Sequence, residues 1–216
     1  MTPAAGGRAW VVLGIALSAA FAVLAHAALV EGIPPAVGAA ISLVPLALLA
    51  VWTLRRARHR EAFALAALAA IVALWLGWSR LERHFPDVLF LEHAGSNLVL
   101  CILFGRTLAG AHEPLVTTFA RLVHGTLPPE VERYTRGATL AWTIFFATLC
   151  ALSCALYVSG LRTEWSLLAN FVTPAAVVAM FAAEYAVRHR ALPHWDHVGI
   201  MGGVRAFSRF FGQAAR

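Results

Sequence analysis

The chain has 216 residues, 60% of them hydrophobic and only 13% charged, against about 45–50% and about 25% in a soluble domain, which excludes a water-soluble globule. The formal charge of +6 comes from 17 basic residues, all arginine, and their placement beside apolar runs marks them as topology signals and excludes a nucleic-acid surface as their purpose.

Six stretches, 9–30, 37–54, 62–78, 88–104, 137–160 and 166–187, contain only Glu92 and Glu184 among the Asp, Glu, Lys and Arg residues of the chain. Each approaches the roughly 20 residues that a helix needs to cross a hydrocarbon core about 30 Å thick. Their continuous hydropathy also sets them apart from the alternating strands of a barrel. The expected fold class is therefore all-α, a polytopic helical membrane protein of about six transmembrane helices forming one integral membrane domain. With the N-terminus in the cytoplasm, every arginine except Arg80, Arg83 and Arg162 falls on the cytoplasmic side, as the positive-inside rule requires. Both termini, the loop 105–136 and the tail 188–216 are then cytoplasmic, in a bacterial inner membrane.

In chain order, Arg8, the apolar run after it and Ala25-His26-Ala27 imitate a signal peptide. The run continues to Val30, so a retained first helix is the favoured reading. Gly32 and Pro34-Pro35 form a tight outer turn, and Pro45 predicts a kink in the second span. The third span is rich in Ala and Leu, with Trp75 and Trp78 near its outer end, and reads as scaffold. In the loop 105–136, Leu115, Phe119, Leu122 and Val123 have the spacing of an amphipathic interfacial helix ended by Gly125. Pro128-Pro129 can open the next helix, which places Glu130, Glu132, Arg133, Tyr134 and Arg136 in its exposed first turns. Thr173-Pro174 predicts a second kink, and Glu184-Tyr185 lies near enough to the cytoplasm to be solvated or to snorkel. In the tail, Met201, Val204, Phe207 and Phe211 with Arg205 and Arg209 form a second interfacial pattern.

The strongest chemical signal is Glu92-His93-x-x-Ser96-Asn97, which helical spacing puts on one strip within the fourth span. Charge there is costly, so the strip should face protein or water. Two readings fit: a proton-handling or polar-ligand site in which Glu92 and His93 titrate, and a hydrogen-bonded clamp between helices. A second cluster lies in the cytoplasmic loop. Arg106, Arg121 and Arg136 suit lipid head groups or an acidic carrier. His124 with Glu130 can act as a catalytic acid/base pair, although a solvated loop explains the same charges. Cys101, Cys150 and Cys154 read as small apolar side chains. His194-Trp195-Asp196-His197 is too compact to surround an ion, so neither a metal nor a cofactor is expected. Walker, zinc-peptidase, Gly-x-Ser-x-Gly and dinucleotide motifs are all missing from the sequence.

Phe104-Gly105-Arg106-Thr107-Leu108, Pro114-Leu115, Phe119-Ala120-Arg121, His124-Gly125, Pro129-Glu130, Tyr134-Thr135-Arg136, Trp142 and Phe145-Phe146 resemble a family of small bacterial membrane proteins. The likeness continues through Trp165-Ser166, Asn170, Met180-Phe181 and Glu184-Tyr185, so it spans roughly residues 100–190. That family is encoded in gene clusters for aryl-polyene pigments of the xanthomonadin type, beside acyl carrier proteins and ketosynthases. The resemblance implies a pathway and a membrane location, and no reaction. The expectation is an accessory protein that docks or handles an acyl intermediate or its carrier at the cytoplasmic leaflet. A proton-coupled transporter or flippase using Glu92 and His93, and a membrane-embedded acyl-modifying enzyme using His124 and Glu130, are the alternatives.

Overall fold

The computed structural model describes residues 3–56, 60–110 and 112–194. Among them every regular element is helical. The order is α1 (Pro3–Val30), α2 (Pro35–Ser42), α3 (Val44–Arg56), α4 (Arg60–Gly105), a 3-10 turn (Arg106–Leu108), α5 (Leu115–His124), α6 (Pro129–Val158), α7 (Arg162–Leu167), a π-turn (Leu168–Val172) and α8 (Thr173–Ala191). The interfacial pattern of the tail and the residues Trp195, Asp196 and His197 lie outside the described residues.

Five helical stretches are long and apolar enough to cross a membrane: Val12–Val30, Pro35–Leu54, Leu65–Leu108, Pro129–Val158 and Arg162–Ala191. The count is five where the sequence predicts six, because the expected third and fourth spans share α4, a single helix of 46 residues. At 1.5 Å per residue α4 is roughly 69 Å long, more than twice the hydrocarbon thickness. The physical reason is that Arg80, Leu81, Glu82 and Arg83 interrupt hydropathy without opposing helix formation. Pro86 stands inside α4 and removes one amide donor, yet the helix continues through it.

Prolines do act elsewhere. The second span divides into α2 and α3 at Leu43, just before Pro45, whose ring would meet the carbonyl of Ile41 in a regular helix. Pro174 is preceded by the π-turn, a device that accommodates the lost α-helical bonding. Gly38 is dictated by packing, since a Cβ there would lie 2.6 Å from the Phe85 ring. This glycine lets α2 approach α4.

The chain divides into two compact units, one made of Met1–His93 with Ser153–Thr173, the other of Ala94–Leu152 with Pro174–Arg216. In the first, Phe85, Leu89, Tyr157 and Trp165 pack with the small residues Ala25, Ala28 and Ala39. In the second, Phe104, Leu115, Trp142 and Phe146 form the core, with Val116 and Phe119 of α5 packed against it. Only part of the predicted apolar face of α5 is covered: Leu115 is buried, while Leu122 and Val123 are exposed. Gly125 ends α5 at a positive φ of 77°, a conformation glycine adopts without steric cost.

Candidate functional site

Buried polar groups in each unit show what its helices are built to hold. In the first unit, His93 on α4 stands between two hydroxyls, with Nδ1 2.9 Å from Ser153 Oγ and Nε2 3.0 Å from Thr173 Oγ1. Trp165 Nε1 donates to the same Ser153 oxygen at 2.9 Å, and its indole meets the His93 ring edge to face. A serine or threonine hydroxyl can donate or accept, so this bracket satisfies either neutral tautomer of His93 and its protonated form. Nearby in the same unit, His26 Nδ1 lies 2.9 Å from Ser166 Oγ, to which Asn170 Nδ2 also donates.

Glu92 is half-buried, and its Oε1 is enclosed with no hydrogen-bond partner among the described residues. The remaining members of the predicted strip belong to the second unit and differ in exposure: Asn97 is buried and Ser96 is exposed. Shared spacing defines a face too broad to give its residues a common environment.

The second unit holds the cytoplasmic-loop cluster, and threonines position it. Thr135 Oγ1 donates to the Val131 carbonyl at 3.0 Å, so Thr117 donates to Thr135 across 2.7 Å. Thr107 Oγ1 accepts from the Leu115 amide and Thr139 Oγ1 from the Val116 amide. Two of the amide donors that a helix N-terminus leaves open are thereby satisfied by side chains of other elements. Thr135 and Thr139 sit one helical turn apart, a sequence signal that could have identified the α6 face receiving α5.

On this frame sits a cleft of about 500 Å³ whose lining includes Glu113, Thr117, Arg121, Glu132, Arg133 and Arg136. Arg121 is held on both sides, Nε donating to Glu113 and Nη2 to Glu132, each at 2.6 Å. These carboxylates, Glu113 foremost, hold its guanidinium above the ordinary arginine range. Arg136 Nη2 donates to the Leu108 carbonyl at 3.0 Å, leaving other donors of its fork for a ligand. Arg133 is exposed. Of the three predicted docking arginines, Arg121 and Arg136 line the cleft, whereas Arg106 stands exposed in the 3-10 turn outside it.

Neither member of the predicted acid/base pair lines this cleft: His124 is half-buried at the end of α5, and Glu130 is exposed in the first turn of α6. Two expectations are corrected. Tyr134 is only partly exposed, and its hydroxyl lies 3.1 Å from both the backbone carbonyl and Oε1 of Glu184. Glu184 accordingly does not snorkel; its side chain is 15% exposed and lies 3.6 Å from Arg188 Nε. Residues fifty apart in sequence make this contact, and no local pattern announces it.

Compared with protein-family models, curated proteins and solved structures, the chain matches none.

Proposed function

We propose that this chain is an accessory protein of aryl-polyene or lipid-linked pigment assembly in a bacterial inner membrane, docking an acyl intermediate or its acyl carrier protein at the cytoplasmic leaflet. The observation that carries this reading is the cleft in which Arg121 is committed to Glu113 and Glu132 while Arg133 and Arg136 face the same space. Forked guanidinium groups suit the phosphate of a carrier's prosthetic arm and the carboxylates of an acidic carrier surface. The enzyme alternative has no comparable support at His124 and Glu130. A second reading, a proton-coupled transporter or flippase, draws support from His93 between Ser153 and Thr173.

The positive-inside rule supports a cytoplasmic side for Arg106, Arg121, Arg133, Arg136, Arg188 and Arg190, which flank the ends of apolar helices. Six crossings with both termini cytoplasmic require the chain to reverse near 79–87, whereas five crossings along an unbroken α4 place the termini on opposite sides. Cysteines introduced at positions 57 and 123 separate the two: labelling from one side fits six crossings, and labelling from opposite sides fits five.

The docking reading is tested by capture of the acyl carrier protein encoded in the same gene cluster on the detergent-solubilised full chain. Arg133→Glu with Arg136→Glu should abolish capture while leaving membrane abundance unchanged. Equal capture by wild type and variant overturns the proposal.

A further inference from the structure

We infer that a second cleft, wholly within the first unit, binds the oxyanion head of an amphiphile, a phosphate or carboxylate carried on an apolar chain. The cleft has a volume of about 220 Å³ and is lined by Arg83, Phe85 and Asp87 of α4, Tyr157 of α6, Arg162 of α7 and Leu29 of α1. It is independent of the carrier-docking reading and uses none of its residues.

The charges are arranged for an anion. Asp87 is the acid in the lining, and both its oxygens are engaged: one accepts from the Tyr157 hydroxyl, and the other lies 2.9 Å from His84 Nδ1. The Tyr157 ring held by this bond carries the Arg162 guanidinium on its face, 3.6 Å from the centroid. Stacking occupies the face of a guanidinium and leaves its N–H edge for hydrogen bonds. Asp87 therefore acts through Tyr157 to position Arg162. Arg83 supplies a second exposed cation from α4. Two arginines against one engaged carboxylate make the lining net positive, and the forked edge of arginine matches carboxylate and phosphate oxygens alike.

The surroundings suit an apolar chain. Leu29 and Phe85 form the hydrocarbon wall, and the neighbours Val158 and Leu161 are 83% and 44% exposed. Along α4 the charged segment containing Arg83 and Asp87 separates two apolar runs. A head group held at such a boundary leaves its tail against lipid-facing side chains.

The test uses the full chain in a nonionic detergent, with native mass spectrometry counting bound dodecyl phosphate, laurate and dodecanol. The charged probes should bind at one saturable site and dodecanol should not. Preference for dodecyl phosphate identifies a phospholipid-like source, and preference for laurate identifies a free acyl acid. Arg83→Gln with Arg162→Gln should weaken binding about tenfold or more, the loss expected for a charge-assisted bond. Arg162→Lys should fall between. Because Arg162 also packs on Tyr157, Arg83→Gln alone guards against misfolding and should still weaken binding. Arg133→Glu with Arg136→Glu should leave this binding intact, so the two proposals fail separately. Equal binding of dodecanol, or affinity unchanged in Arg83→Gln, overturns the inference.

Discussion

Each unit joins an arginine to carboxylates, but by different routes. In the second, Glu113 and Glu132 meet Arg121 directly at 2.6 Å. In the first, Asp87 never reaches Arg162; it grips the Tyr157 hydroxyl, and the tyrosine ring presents the cation. Direct pairing uses the donor edge of arginine, whereas stacking preserves it. An acid close to an arginine therefore says little about whether that arginine can take a ligand. The contrast extends to polar packing: aromatic rings enclose the hydroxyl network around Trp165, while threonine hydroxyls support the open ion pairs around Arg121.

The largest expected effect is from Trp165→Ala, which empties a site 1% exposed and removes the donor to Ser153. Loss of this side chain should cost about 3–5 kcal/mol, read from unfolding of the purified chain in mixed micelles. A cost below about 1 kcal/mol would break the contrast in packing. Thr135→Val should come next, at about 1–3 kcal/mol, because it leaves the buried Thr117 hydroxyl without its acceptor. If Thr135→Val proved as costly as Trp165→Ala, the two units would rest on the same kind of interior.

Arg121→Gln should have the smallest effect on stability, with no measurable change in the same unfolding assay, since exposed ion pairs contribute little. Its effect should appear in binding: Glu113 and Glu132, left without their cation, should repel an acidic carrier. Glu132→Gln should do the opposite and strengthen capture, on the order of twofold. Weaker capture in Glu132→Gln would show that the paired geometry, not the freed charge, matters.

Much of the helical framework was legible because hydropathy marks burial in lipid directly. Pro45 marked the break between α2 and α3, and Gly125 the end of α5, since both act through local backbone sterics. The unbroken α4 was not legible, because Arg80 to Arg83 report polarity and not helix breaking. Within the candidate sites, His93 and Arg121 stood out by composition, yet their partners Ser153, Thr173, Glu113 and Glu132 come from other elements or from further along the chain. Tyr157 and Arg162 escaped notice altogether. Each looks ordinary alone, and only the return of α6 and α7 beside α4 gives them a shared role.

The π-turn at Leu168–Val172 acts as a phase setting for the last helix. Bonding from i to i+5 holds one residue more per turn than an α-helix, so deleting a single residue there can restore regular winding without breaking the chain. The helix beyond would then rotate by about 100° and carry Thr173 away from His93. Whether His93 is answered by a hydroxyl on its Nε2 side thus depends on a count of residues in one turn, and insertions or deletions there should matter more than substitutions that preserve the count.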